Sequence, residues 1–586
     1  MLLNTKSADK WKRIGLQKRA GILISLFSVY SKNSLGIGDF LDLKLLVDFA
    51  SLTGNSIIQL LPLNEVGALF CPYDSLSSFA LEPAYIHLDS PQKTRNPTYP
   101  YLDYKIKEEK LNILLQSFTS DKERDSGNFS LFRKENSYWL PEFSLYKALK
   151  AHHNGSAWYE WEDKFKFRDK SALEVFKNEH SKELEFQEWV QWKLFKQLRA
   201  ARIYANSKNI FLKGDLPILV SRDSADVWSH PKFFKLDFAA GAPVDMYCAK
   251  GQRWGMPTYN WDKIKEDGFR YLAEKLRYAQ NFYDILRVDH VVGLFRIWSI
   301  PYNEPLENKG LNGLFDPGDE GVWGIHGRTI LETMLNNTSM LLCAEDLGLI
   351  PRVCTDTLKD LGIPGNDVQR WVKDWKVAYD FLSPSGYRKL SVSMLSTHDT
   401  TNWPAWWENE VGTIDEDLFY RRCMERGINF NKVKPKLFDL NLSKHGRLRW
   451  LNPIDLIDKL VWNLDKKKEE VGDFIDLYLN SFREKEKLWK QMGLKGKMRE
   501  KCDKEIVKAA LKITLDSASI FSINTLIDWL YTANIFKGDP YDNRLNTPGT
   551  ISDKNWSLTL PISLEKLLEH KVVKEMKKMA KDSGRV

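Results

Sequence analysis

Ile285-Leu286-Arg287-Val288-Asp289-His290 is the stretch on which the reading of this chain turns. Three apolar residues and one arginine, too hydrophobic together to lie in water, run straight into an acid and a histidine. Side chains alternate along a strand, so Arg287 and Asp289 face the same side, where a guanidinium can orient a carboxylate and hold it ionised. A buried strand that delivers charge at its C-terminal end suits a parallel β/α architecture, in which helices cover the sheet and chemistry gathers at the carboxyl ends of the strands.

The pattern recurs. Leu341-Leu342-Cys343-Ala344 runs into Glu345-Asp346, and Val392-Ser393-Met394-Leu395-Ser396-Thr397 runs into His398-Asp399. Glu345 follows Asp289 by 56 residues and Asp399 follows Glu345 by 54, a spacing that successive β/α units with insertions produce. Strands are predicted at 21–27, 56–63, 211–219, 284–288, 341–344, 390–395 and 519–523, with a weaker one near 358–363. Eight such strands close a (β/α)8 TIM barrel with its site at their C-terminal ends. Residues 63 and 211, which end the second strand and begin the third, are 148 apart and residues 395 and 519 are 124 apart, and such lengths in a compact domain predict insertions with structure of their own. The expected organisation is a catalytic barrel from 1–83 and 206–586, a mainly helical insertion at 84–205 after strand 2, and a helical insertion at 408–505 before strand 8. The 56 residues after Leu530 are too few for a C-terminal β-sandwich of about 100 residues. Leu564, Leu567, Val572 and Met576, interleaved with Lys566, Lys571, Lys574, Lys577 and Lys578, predict a docked terminal helix with a solvated basic face.

Composition narrows the function classes. With 43% hydrophobic and 28% charged residues the chain is neither disordered nor membrane-like, and 86 Lys+Arg against 78 Asp+Glu give a net charge of only +8. No basic cluster lies among the aromatics, so nucleic acid is not an expected partner, nor is a membrane. Lys18-Arg19 followed by an apolar stretch imitates a signal peptide, but Ser25 and Ser28 interrupt it and it reads as a buried strand. Six cysteines without a CxxC pair point to a reducing compartment, the cytoplasm, and away from disulfides or a zinc ribbon. No HExxH and no DxDxDG loop is present, so neither a metal nor another cofactor is expected. The chain is aromatic-rich, with 21 Trp, 22 Tyr and 30 Phe, many beside Gly, Pro, Asp or Asn. Trp254 and Tyr259, flanked by Gly and Pro, are assigned to stacking on a ligand, whereas Trp158, Trp161, Trp189 and Trp192 sit in helical apolar settings and are assigned to packing.

A single acid at a strand end is as well explained by an N-cap or a buried ion pair. Three acids, Asp289, Glu345 and Asp399, converge on one mouth if the barrel closes. Two carboxylates across a glycosidic bond can cleave it, one attacking the anomeric carbon or activating water and the other protonating the leaving oxygen.

Longer motifs go further. Cys71-Pro72-Tyr73-Asp74-Ser75-Leu76-Ser77-Ser78-Phe79-Ala80, Gly214-Asp215-Leu216-Pro217-Ile218, Asp223-Ser224-Ala225-Asp226-Val227-Trp228 and Gly251-Gln252-Arg253-Trp254-Gly255-Met256-Pro257 together resemble the amylomaltase, or 4-alpha-glucanotransferase, family of α-amylase-like retaining barrels. The resemblance implies that Asp289 is the nucleophile, Glu345 the general acid and then base, and Asp399 a stabiliser of the distorted sugar. It implies that His398 bonds a sugar hydroxyl, that Tyr73 stacks on the same sugar, and that Ser75, Asp215 and Arg287 belong to the substrate-binding set with Trp254 and Tyr259. Arg287 is expected to keep Asp289 ionised, and direct attack implies carboxyls about 5–5.5 Å apart. The implied partners are α-1,4-glucans and maltooligosaccharides, with glucose as acceptor or product, and the chain is expected to be a monomer or weak homo-oligomer. An α-amylase-like hydrolase on the same site remains the alternative. The family's Phe-Pro-Gly appears here as Ile363-Pro364-Gly365, which predicts the loss of an aromatic platform near the acceptor.

Overall fold

The computed structural model describes residues 2–89, 100–125, 127–245 and 248–586. Eight short strands carry the fold: β1 (Arg19–Ile24), β2 (Ile57–Leu60), β3 (Phe211–Leu216), β4 (Ile285–Val288), β5 (Leu341–Ala344), β6 (Gly365–Val368), β7 (Ser391–Met394) and β8 (Phe521–Thr525). They pair in the order β5-β4-β3-β2-β1-β8-β7-β6, and every pairing is parallel. The two ends of this sheet meet. Ala344 N–H donates to Pro364 O at 2.8 Å and Asn366 N–H to Asp346 Oδ1 at 2.6 Å, so the sheet closes into a (β/α)8 barrel. Across this seam Arg388 bonds Asp346 at 2.5 Å and Asp367 at 2.7 Å, and a side chain at Gly365 would put its Cβ 2.3 Å from the Asp346 carboxylate.

The sixth strand is not at 358–363. Those residues finish the helix Arg352–Leu361, which Gly362 caps in the left-handed conformation, and Pro364 cannot extend it. The strand follows at Gly365-Asn366-Asp367-Val368, buried although polar. Ile363 is buried in the core, so its difference from the family's phenylalanine concerns packing and offers no surface to a sugar.

Between β2 and β3 the described residues form helices, chiefly Ile106–Phe118, Leu140–His152 and Ser181–Ser207, and Trp158, Trp161, Trp189 and Trp192 are all buried. Buried Glu65 and Glu82, on the loop after β2, pair with Lys147 at 2.6 Å and Lys107 at 2.9 Å from these helices. Truncating one partner of such a pair leaves a stranded charge and costs about 3–5 kcal/mol, so the loop is firmly tied to the helices.

The 408–505 region is not purely helical. It contains an antiparallel sheet of Thr413–Asp415, Phe438–Lys444 and Arg447–Trp450, and a core of its own around Phe419, Phe438, Trp450 and Phe474. The hairpin turn is His445-Gly446, with φ of 55° and 70°, the pair of positive values that a two-residue turn of type I′ needs. A second antiparallel sheet, for which the sequence gives no expectation, joins Phe238–Ala242, Gln252–Arg253, Ile297–Pro301 and Leu314–Asp316. It holds the 251–258 segment. The chain's last helices, Leu564–Glu569 and Val572–Asp582, bury Leu564, Leu567, Val572 and Met576 and leave the five lysines exposed. Among the described residues no helix is long and apolar enough to cross a membrane.

Candidate active site

Register builds one side of the barrel mouth. Asp215 on β3 and Cys343 on β5 are both level with Arg287 on β4. Asp289 and Glu345 each stand one residue beyond the paired ends of β4 and β5, and their N–H groups continue the ladder by donating to Leu216 O and Val288 O at 3.1 and 2.9 Å. Gly214, beside Asp215, is required by its neighbour, since a Cβ there would meet the Tyr283 ring at 2.4 Å.

Arg287 is the hub. Its Nη1 donates to both carboxylate oxygens of Asp215 at 2.7 Å and lies 2.9 Å from Asp289 Oδ1. Tyr73 O–H donates to Asp215 Oδ2 at 2.8 Å, so Asp215 orients Tyr73 and Arg287 together. The Asp215 side chain is fully buried, whereas Asp289 keeps 21% of its side chain exposed, as a group that must meet a ligand needs.

Glu345 is oriented by backbone. Its Oε2 accepts from His290 N–H at 2.8 Å and its Oε1 from Leu347 N–H at 3.2 Å. His290 has φ 41°, an uncommon conformation for a residue other than glycine, and its N–H is the one that meets Glu345. The residue after one acid thus holds the other.

The protonation states separate accordingly. Burial raises Glu345 to about 7, with Asp289 and Asp346 adding to the shift and Arg287 opposing it. Burial raises Asp289 to about 6 against the pull of Arg287, and Asp215 and Asp399 push the same way as burial. The expected depression of Asp289 by Arg287 is therefore outweighed by burial, to which the negative charges of Asp215 and Asp399 add. Asp399 behaves oppositely: burial would raise it, but His398, Asn546 and Arg287 bring it down to about 2.

The other side of the mouth is made by loops. Asn546 Nδ2 donates to Asp399 Oδ1 at 2.7 Å. His398 is buried, with Nε2 3.2 Å from Asp399 Oδ2 but without hydrogen-bond geometry, and neither ring nitrogen has a hydrogen-bond partner. Its ring stacks on Tyr73 with centroids 5.1 Å apart, and Trp556 packs against both rings at 5.8 and 5.9 Å. Trp254 reaches the site from the 251–258 segment and sets its ring edge-to-face on His290 at 4.8 Å.

Two residues assigned to ligand contact are buried and bonded within the protein. Tyr259 is buried among Phe234, Trp261 and Tyr271, and its hydroxyl accepts from Lys275 at 3.0 Å, so it is a packing residue. Ser75 is buried, and its carbonyl accepts from Ser221 N–H at 3.0 Å, tying the loop after β2 to the loop after β3. In the other direction, the sequence reading misses Asn546 and Trp556. Asn546 gives no local signal, since its partner is 147 residues away. Trp556, next to Asn555 and shortly after Pro548-Gly549, meets the same criterion that selects Trp254. No cluster of His, Cys, Asp or Glu among the described residues could hold a metal ion.

Fold and site together define a (β/α)8 barrel enzyme with Asp289, Glu345 and Asp399 at the carboxyl ends of its strands, the first of them paired with Arg287. The family model for 4-alpha-glucanotransferase matches residues 24–564. A 4-alpha-glucanotransferase of Chlamydia pneumoniae is 32% identical over 97% of this chain and 96% of its own length, and one of Aquifex aeolicus is 32% identical over 75% and 90%. Among solved structures, the amylomaltase from Streptococcus agalactiae in complex with acarbose superposes with a TM-score of 0.73 at 22% identity, covering 97% of this chain and 100% of that one. The amylomaltase from Corynebacterium glutamicum gives 0.70 at 20% identity, covering 98% and 76%. The chain belongs to the 4-alpha-glucanotransferase family. It is a glycosyltransferase of that type, and the hydrolase alternative is not favoured.

Proposed function

We propose that this protein moves α-1,4-glucan segments between maltooligosaccharides by a retaining double displacement, with glucose as acceptor or product. The observation that carries this reading is the coupling of the two acids: the N–H of the residue after Asp289 holds Glu345, whose carboxyl is raised to about 7. At neutral pH a large fraction of Glu345 then keeps a proton to give, while Asp289, at about 6, is mostly ionised. Asp289 attacks the anomeric carbon and Glu345 protonates the departing 4-oxygen. Glu345, now a carboxylate, takes the proton of the incoming 4-hydroxyl as that oxygen displaces Asp289, and the α configuration returns.

Asp399 accepts hydrogen bonds from hydroxyls of the distorted sugar, and the unsatisfied ring nitrogens of His398 engage one of them. Tyr73, with Trp556 behind it, supplies the stacking wall, and Trp254 supports the 251–258 segment over the mouth. Transfer prevails over hydrolysis when the acceptor hydroxyl is held in near-attack geometry and water is kept out. The catalytic unit is assigned to 1–83 and 206–586, with 84–205 and 408–505 as insertions, acting in the cytoplasm as a monomer or weak homo-oligomer. Incubation with pure maltotriose is expected to give glucose together with longer oligosaccharides at a constant number of reducing ends. Products confined to glucose and maltose, with reducing ends rising, would sink the transferase reading.

A further inference from the structure

The inserted hairpin of Phe438–Lys444 and Arg447–Trp450 does more than fill space, because its tip lands on the loop that supports Asp399. The ring of His445 stacks on Tyr541 with centroids 3.7 Å apart and planes 10° from parallel. Tyr541 is joined to Arg544, whose Nη1 donates to the tyrosine hydroxyl at 3.2 Å while its guanidinium lies over the ring at 5.4 Å. Arg544 Nε in turn donates to the Asn546 carbonyl at 3.2 Å, and Asn546 Nδ2 donates to Asp399 at 2.7 Å. Both ends of this path are braced. Gly446 O accepts from Glu416 N–H at 2.9 Å, fixing the tip to its own subdomain, and Asn402 Nδ2 donates to Pro540 O and Asn543 O at 2.7 and 2.9 Å.

The stack is placed where it cannot serve the core. His445 is exposed and Tyr541 is half-buried, so two rings at the surface spend their faces on each other. A stacked pair of this kind contributes about 0.5–1.5 kcal/mol beyond area burial, enough to hold a short turn but too little to hold a domain. The Asn546 amide, by contrast, must keep one orientation for its N–H and not its C=O to meet the carboxylate.

We propose that His445 and Tyr541 are positioning residues, through which the inserted subdomain holds Asn546 against Asp399 and so sets the geometry of the reacting sugar. The proposal rests on the role given to Asp399 in the reaction. It also gives the 408–505 insertion a purpose, since its hairpin becomes a brace whose contact is read at the mouth.

A double-mutant cycle tests it. His445→Ala is expected to lower kcat for maltotriose disproportionation by about fivefold with KM within twofold of wild type, and His445→Phe, which keeps the stack, to restore it. Asn546→Ala is expected to lower kcat by about 10²-fold, and adding His445→Ala to it should cost nothing more, since the path is already cut. Tyr541→Phe, which removes only the hydroxyl that Arg544 meets, should fall between wild type and His445→Ala. Thermal midpoints of the two His445 variants should match wild type within a degree or two. The idea is overturned if His445→Ala retains wild-type kcat, if its effect adds in full to that of Asn546→Ala, or if the loss follows a fall in stability and vanishes at low temperature. Asp399→Asn separates this from the parent reading. Full turnover there removes the role of Asp399 but leaves the coupling of His445 and Asn546 measurable.

Discussion

The two sides of the mouth are built on different principles. On the β3–β4–β5 side, Asp215, Arg287, Asp289 and Glu345 lie within strands or one residue past them, and parallel register alone brings them together. On the other side, Asp399 stands five residues beyond the end of β7, and its partner Asn546 comes from far along the chain. Groups set by register inherit the stiffness of the barrel. Groups set by loops depend on each contact along a path, and that path runs through the insertion's hairpin.

Substitutions can sharpen or break this contrast. The largest effect belongs to Asp289→Ala, which should lower turnover of maltotriose by about 10⁴-fold or more while oligosaccharide binding by calorimetry persists. Activity within tenfold of wild type would remove Asp289 from its proposed role. Asp399→Asn is expected to cost about 10²–10³-fold in kcat, the scale of one group that stabilises the transition state. A loss as large as that of Asp289 would erase the distinction between the two sides.

Asp215→Ala tests the register side through stability. It strands the Arg287 guanidinium in a buried site with Asp289 as its remaining acid, a change of about 3–5 kcal/mol by chemical denaturation. A variant as stable as wild type would mean that the hub is not held as the bonds suggest. The gentlest probe is pH. Asp289 must be ionised and Glu345 protonated, so kcat/KM should fall below about 6, where Asp289 takes up its proton, and above about 7, where Glu345 loses its own. The two limbs belong to the interacting pair, and Asp346→Asn, which removes a charge that raises Glu345, should move the alkaline limb to lower pH. An alkaline limb unchanged in Asp346→Asn would detach Glu345 from it.

What can be read from the sequence follows the same division. The strand ends bearing Asp289 and Glu345 announce themselves, because an apolar run that terminates in acids is hard to place anywhere but at a barrel mouth. β6 stays hidden since its residues Gly365-Asn366-Asp367 are buried without being apolar, held by backbone and by Arg388. The apolar end of the preceding helix imitates a strand better than the strand itself does. Tyr259 misleads for a related reason: flanking Gly and Pro mark chain breaks, but the break here turns the ring inward against Phe234 and Tyr271. The hairpin within 408–505 escapes notice because His445-Gly446 is a rarer form of the two-residue turn than Asn-Gly. Asn546 cannot be found from spacing at all.

The seam between β5 and β6 carries a further consequence. Around the rest of the barrel, strand ladders fix the circumference, but at this joint much of the fastening is Arg388 held between Asp346 and Asp367, with the arginine side chain 44% exposed. Both carboxylates are buried, so dissolved ions screen the pairs far less than they would a fully exposed one. The rim that bears Glu345 is therefore tied on at this joint in part by charge, a fastening that neutralising Asp367 would release while the ladders around it held.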